Sequence, residues 1–108
     1  MQTILQVVCS TGESVREQIV NDVKLTDYCL KVEKEKQPGR SHGWAKVLST
    51  RPGGRGALNM VWDANTGTLL CRVVNRGRGR PSLIVADFVE YLLTHFRRRI
   101  EVVTLIPG

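Results

Sequence analysis

The chain has 108 residues, 42% of them hydrophobic and 24% charged, with a formal net charge of +6. That makeup fits one globular domain over 1–108, large enough to bury a core without metals or disulfides. No apolar run approaches the roughly 20 residues of a membrane helix, and "MQTILQVVCSTGES" lacks the basic segment of a secretory signal, so a cytoplasmic protein with no membrane partner is expected.

"TILQVVC" (3–9) reads as a short interior strand. Ser10 or Thr11 can then cap a helix, and Ser10 with Glu13 has the capping-box spacing. Val15, Ile19 and Val23 recur every four residues, with Arg16, Glu17, Asn21 and Lys24 facing away, so the pattern predicts a helix over 13–24. "DYCLKVEKEK" (27–36) alternates Tyr28, Leu30 and Val32 against charges, as a half-buried strand does. "QPGRSHG" (37–43) and "RPGGRG" (51–56) are turns around a strand at 44–50. "ALNMVWD" and "TLLCRVV" flank "ANTG", a hairpin signal in which Gly67 takes positive φ. Leu83–Phe96 repeats apolar residues at 85, 88, 89, 92, 93 and 96, a helix face, and "IEVVTLI" (100–106) closes the chain as a strand.

The order β-α-β-β-β-β-α-β predicts an α+β fold: a two-layer sandwich, a mostly antiparallel sheet with two helices on one face. Strands 57–62 and 69–74 carry apolar residues at both parities, including Val61, Leu70 and Val74. A sheet wet on one side alternates cleanly, so a second copy is expected to cover the other face, giving a dimer or tetramer.

The charge is unevenly placed. Residues 1–39 sum to −1 and 81–108 to 0, whereas 40–80 sum to +7, with seven arginines and Lys46 against Asp63 alone. Arginine forks two donors onto a phosphate, and a one-sided cluster is the footprint of a polyanion binder. Folding the hairpin brings "RPGGRG" and "NRGRGR" to one sheet edge. Arg51, Arg55, Arg76, Arg78 and Arg80 would there grip phosphates, with Arg72 and Lys46 supporting them from the strands. Both tryptophans, Trp44 and Trp62, lie near this stretch and offer rings for base stacking, Trp44 being the better placed.

Catalytic readings find little. No two carboxylates have a spacing suited to acid–base work, and GxSxG, Walker and HExxH motifs are missing. Cys9, Cys29 and Cys71 are odd in number, far apart and each in an expected strand, which reads as buried free thiols rather than zinc ligands. A non-enzyme with no metal and no cofactor is expected.

The hairpin "GALNMVWDANTGTLLCRVV", its exit "NRGRGR" and the apolar helix that follows resemble the ThermoDBP-related single-stranded-DNA-binding proteins of thermophilic archaea. The likeness covers residues 43–106 and lies in size, charge and element order. It implies an oligomer that holds single strands in clefts between subunits without sequence preference, and it transfers no individual residue role. The expected function is therefore sequence-independent binding of single-stranded nucleic acid, with DNA first. The alternatives are an oligomeric interaction module for an acidic protein and, from the likeness of "RGRGRP" to an AT-hook core, a double-stranded DNA binder.

Overall fold

The computed structural model describes residues 2–75, 77 and 80–108. The chain runs β1 (Thr3–Cys9), α1 (Val15–Val20), a 3-10 helix (Val23–Tyr28), β2 (Leu30–Lys34), β3 (Trp44–Ser49), β4 (Gly56–Asp63), β5 (Thr68–Asn75), α2 (Pro81–His95) and β6 (Ile100–Ile106). The strands form one open sheet in the order β2-β3-β4-β5-β1-β6, with every neighbouring pair antiparallel. The α+β class and the two helices on one face are as the sequence predicts. No helix among the described residues is long and apolar enough to cross a membrane.

Register explains where the core sits. Leu5, Cys71, Met60 and Ala45 lie opposite one another across four strands. Val73, Leu58, Val47 and Val32 form the next row. Apart from the half-buried Val32, these side chains are buried, under Val15 and Ile19 of α1 and under Ile84, Val85, Phe88, Tyr91 and Leu92 of α2. Each fully buried large apolar side chain contributes about 1.5–3 kcal/mol. The buried stripe of α2 takes in Ile84 and Tyr91 and leaves Leu93 39% exposed, so it is rotated slightly from the predicted face. Gly56 lets α2 come this close, because a Cβ there would lie 2.9 Å from Ile84 Cγ2.

The first helical segment differs most from expectation. Ser14, not Ser10, is the N-cap: its hydroxyl accepts from the Glu17 N–H at 3.2 Å, which moves the Ser-x-x-Glu signature one turn along. The helix ends after Val20 because Asn21 and Asp22 bond their own backbone. Asn21 donates to the Glu17 carbonyl and Asp22 accepts from the Lys24 N–H, both at 2.9 Å, the local competition that makes these residues helix breakers. The chain resumes as the 3-10 helix, so Val23 is 81% exposed and Leu25 takes the buried place predicted for it. Tyr28 and Cys29 therefore precede β2 rather than belonging to it, and Cys29 adopts a left-handed φ of 58° as the helix turns into the strand.

Candidate nucleic-acid interface

The hairpin β4–β5 pairs Gly56 with Asn75 at one end and Asp63 with Thr68 at the other. The loop before β4 and the loop after β5 consequently leave the same end of the sheet. Their meeting is direct: a Cβ on Gly77 would sit 3.7 Å from Arg55 Nη1. Gly77 (φ 73°) and Gly53 (φ 79°) supply the left-handed turns that these loops need. Arg80 is exposed at the N-cap of α2, with Pro81 beginning the helix. Pro81 closes a hollow against Thr3, Val74 and Asn75, which puts the start of α2 at this same sheet end. Arg76 and Arg78 lie outside the described residues.

The loop 50–55 divides its two arginines between the faces. Arg51 turns to the helix side and is held by Asp87 of α2, with Nε donating to Oδ2 at 2.9 Å and Nη2 to Oδ1 at 2.7 Å. This bidentate hydrogen bond pushes the Arg51 pKa further up. Arg51 is thus committed to the protein's own carboxylate, and its assignment as a phosphate contact is corrected. Arg55 instead shares a hollow of about 180 Å³ with Glu33, Lys46, Leu48 and Ala57 on the open face.

That face has an order invisible in the linear sequence. Arg72 of β5 lies opposite Asn59 of β4, and Asn59 opposite Lys46 of β3. A polar row with a cation at each end crosses the three central strands. Apolar rows flank it: Val74, Ala57 and Leu48 on the rim side, Leu70, Val61 and Trp44 on the other. The predicted apolar residues at both parities are therefore real, but they alternate with polar rows instead of forming a continuous patch. Arg72 is exposed, and its side chain, like those of Arg55 and Arg80, makes no hydrogen bond or ion pair with a described residue. Lys46 meets Glu33 at 3.4 Å, a partly exposed pair worth little. Asn59 was not singled out from sequence, although its place opposite Arg72 across the hairpin was available as a signal.

Neither tryptophan offers the open face an exposed ring. Trp44 lies on the open side yet is only 1% exposed. Its Nε1–H donates to Asn59 Oδ1 at 3.3 Å, and the Arg40 guanidinium lies 5.2 Å from its ring centre. Trp62 shares the parity of Leu58 and Met60 and packs half-buried against the core on the helix side. The stacking assignment of Trp44 is corrected, and Trp62 lies away from the open face. Arg40 closes over Trp44 from a loop too irregular for its position to be read from sequence.

Two other arginines turn inward. Arg16, expected to face solvent, is 4% exposed and donates to the Trp44 carbonyl (3.1 and 2.7 Å), the Glu35 carbonyl (2.6 Å) and the Glu17 carboxylate. Arg99 donates to the carbonyls of Ser10 (3.1 Å) and Glu13 (2.8 Å), tying the end of α2 to the loop after β1. A hollow of about 660 Å³ near Arg97 and Arg98 sits at the C-terminal end of α2, where Glu90 and the helix carbonyls already favour those cations. Cys9, Cys29 and Cys71 are free. Burial pushes the Cys9 and Cys71 thiols up, away from the nucleophilic thiolate. Among the described residues no three His, Cys, Asp or Glu side chains gather as a metal site. No protein family, curated protein or solved structure was found to match this chain.

Proposed function

We propose that the protein binds single-stranded nucleic acid, without sequence preference and without catalysis, across the open face of its sheet. The observation that carries this reading is the register Arg72–Asn59–Lys46, one row from a rim where Arg55 meets Gly77 and where α2 begins at Arg80. Phosphates would lie on Arg55, Arg72, Lys46 and Arg80. The flanking rows of Val74, Ala57 and Leu48 and of Leu70 and Val61 offer the bases a flat apolar bed. Stacking on tryptophan plays no part.

The Arg72 side chain, without a partner among the described residues, also argues against a second copy as the occupant of this face. Burying a guanidinium there without a carboxylate carries a desolvation penalty of several kcal/mol, whereas a phosphate chain supplies the missing charge.

The test is a titration of labelled oligonucleotides at several salt concentrations. Three to six phosphate contacts on a single strand give a log–log slope of about −2 to −4. A slope near zero removes the electrostatic basis of the reading. Tighter binding to an A·T-rich duplex points to the AT-hook alternative, and tighter binding to polyglutamate to the acidic-protein alternative.

A further inference from the structure

β6 ends the sheet on one side and β2 on the other. A terminal strand presents unpaired backbone N–H and C=O groups that template another strand, and monomeric proteins blunt such edges with charges, prolines or bulges. β2 follows that rule. Lys31 and Lys34 are exposed on it, and its pairing with β3 shifts between Val32 and Lys34. β6 is different. Its one irregularity lies at its start, where Cys9 pairs with Ile100 and Val8 with Val102, leaving Glu101 as an extra residue. From Val102 to Ile106 the pairing with β1 is regular, and "VVTLI" holds no charge. Val102, Leu105 and Ile106 are 52%, 50% and 48% exposed.

These five residues read alike in both directions. Against a second copy, antiparallel and related by a two-fold axis through Thr104, Val102 faces Ile106, Val103 faces Leu105 and Thr104 faces itself. Parity is kept. Val102, Thr104 and Ile106 share the open face with Val8, Gln6 and Ile4, while Val103 and Leu105 share the helix side with Val7 and Leu5. Every pair is thus apolar on apolar or threonine on threonine, and both kinds stabilise cross-strand neighbours. Glu101 falls beyond the ladder, so no like charges meet. An isologous contact between identical chains needs each residue to suit the one it meets, i meeting j and j meeting i, and the stretch 102–106 meets that condition along its whole length.

We propose that two copies of this chain join edge to edge through β6, making one antiparallel sheet of two six-stranded halves. The rim lies at the Ile106 end of β6, so the pairing sends the two rims to opposite ends of the assembly. Each copy keeps its own open face, and the proposal stands apart from the nucleic-acid reading.

Sedimentation of the full chain over a range of concentrations tests it. Thr104 is exposed and outside the phosphate-binding set, and Thr104→Lys places two like charges opposite each other at the axis. The unaltered chain should dimerise. T104K and T104E should each weaken the dimer by about tenfold or more, with unchanged circular dichroism, and an equal mixture of the two should recover it as a heterodimer. A chain that stays monomeric at every soluble concentration overturns the proposal. So does a dimer that T104K leaves intact, which would locate the contact elsewhere, or a failure of the mixture to recover.

Discussion

Arg16 and Arg55 carry the same guanidinium on opposite sides of one sheet. Arg16 of α1 is 4% exposed and directs its donors to the carbonyls of Trp44 and Glu35 and the Glu17 carboxylate. Arg55 stands at the open rim beside Gly77 and meets no acceptor among the described residues. Arg99 and Arg51 belong with the first, one bound to loop carbonyls and the other to Asp87. Arg72 and Arg80 belong with the second. These six arginines therefore form two populations: those held by the protein's own carbonyls and carboxylates, and those whose side chains meet no acceptor among the described residues.

Substitutions separate these populations. The largest expected effect on stability is that of Arg16→Ala, which strands two carbonyls that the guanidinium satisfied. Urea unfolding should show a loss of about 2–4 kcal/mol. Gly56→Ala presses a methyl onto Ile84 beneath the rim and should cost about 1–3 kcal/mol in the same measurement. The paired change Arg55→Ala and Arg72→Ala should shift stability by no more than about 0.5 kcal/mol. It should, however, flatten the salt dependence of oligonucleotide binding by about 1.4 in slope. If that slope is unmoved, the two arginines do not touch phosphate. Arg51→Ala breaks an exposed ion pair, with an expected cost of about 0–1 kcal/mol and no change in the salt slope.

A pH experiment sharpens the helix side alone. Burial first, and then the hydrogen bond from its hydroxyl to Asp22 (2.8 Å), hold the Tyr91 phenol protonated well above its ordinary value of 10.0. The unfolded chain ionises nearer that ordinary value. The contribution of Tyr91 is thus complete below pH 10 and is lost as the pH rises beyond it. Tyr91→Phe should lessen the fall in stability above pH 10 and leave binding at neutral pH unchanged.

Some of this was legible in the sequence and some was not, for physical reasons. The hairpin, α2 and β6 announced themselves because period and turn chemistry agreed over long segments. The meeting of the two Gly/Arg loops followed from hairpin geometry alone. The short segment at 13–28 misled because Asn21 and Asp22 keep the helical apolar spacing while diverting the backbone hydrogen bonds. Arg51 misled because its partner, Asp87, is 36 residues away. Trp44 misled because its burial depends on Arg40 and on a loop that local rules do not position. The Arg72–Asn59–Lys46 row needed the register of β3 as well as that of the hairpin.

The covered indole of Trp44 has a practical consequence. Tryptophan quenching, a common optical signal for bases settling on an aromatic ring, should be faint here, since one indole is already dry beneath a guanidinium and the other faces the helices. The intrinsic fluorescence will instead follow melting, when the Trp44 ring first meets water and Trp62 loses its packing. A polarisation readout from a dye on the oligonucleotide is the appropriate way to watch occupancy of the sheet.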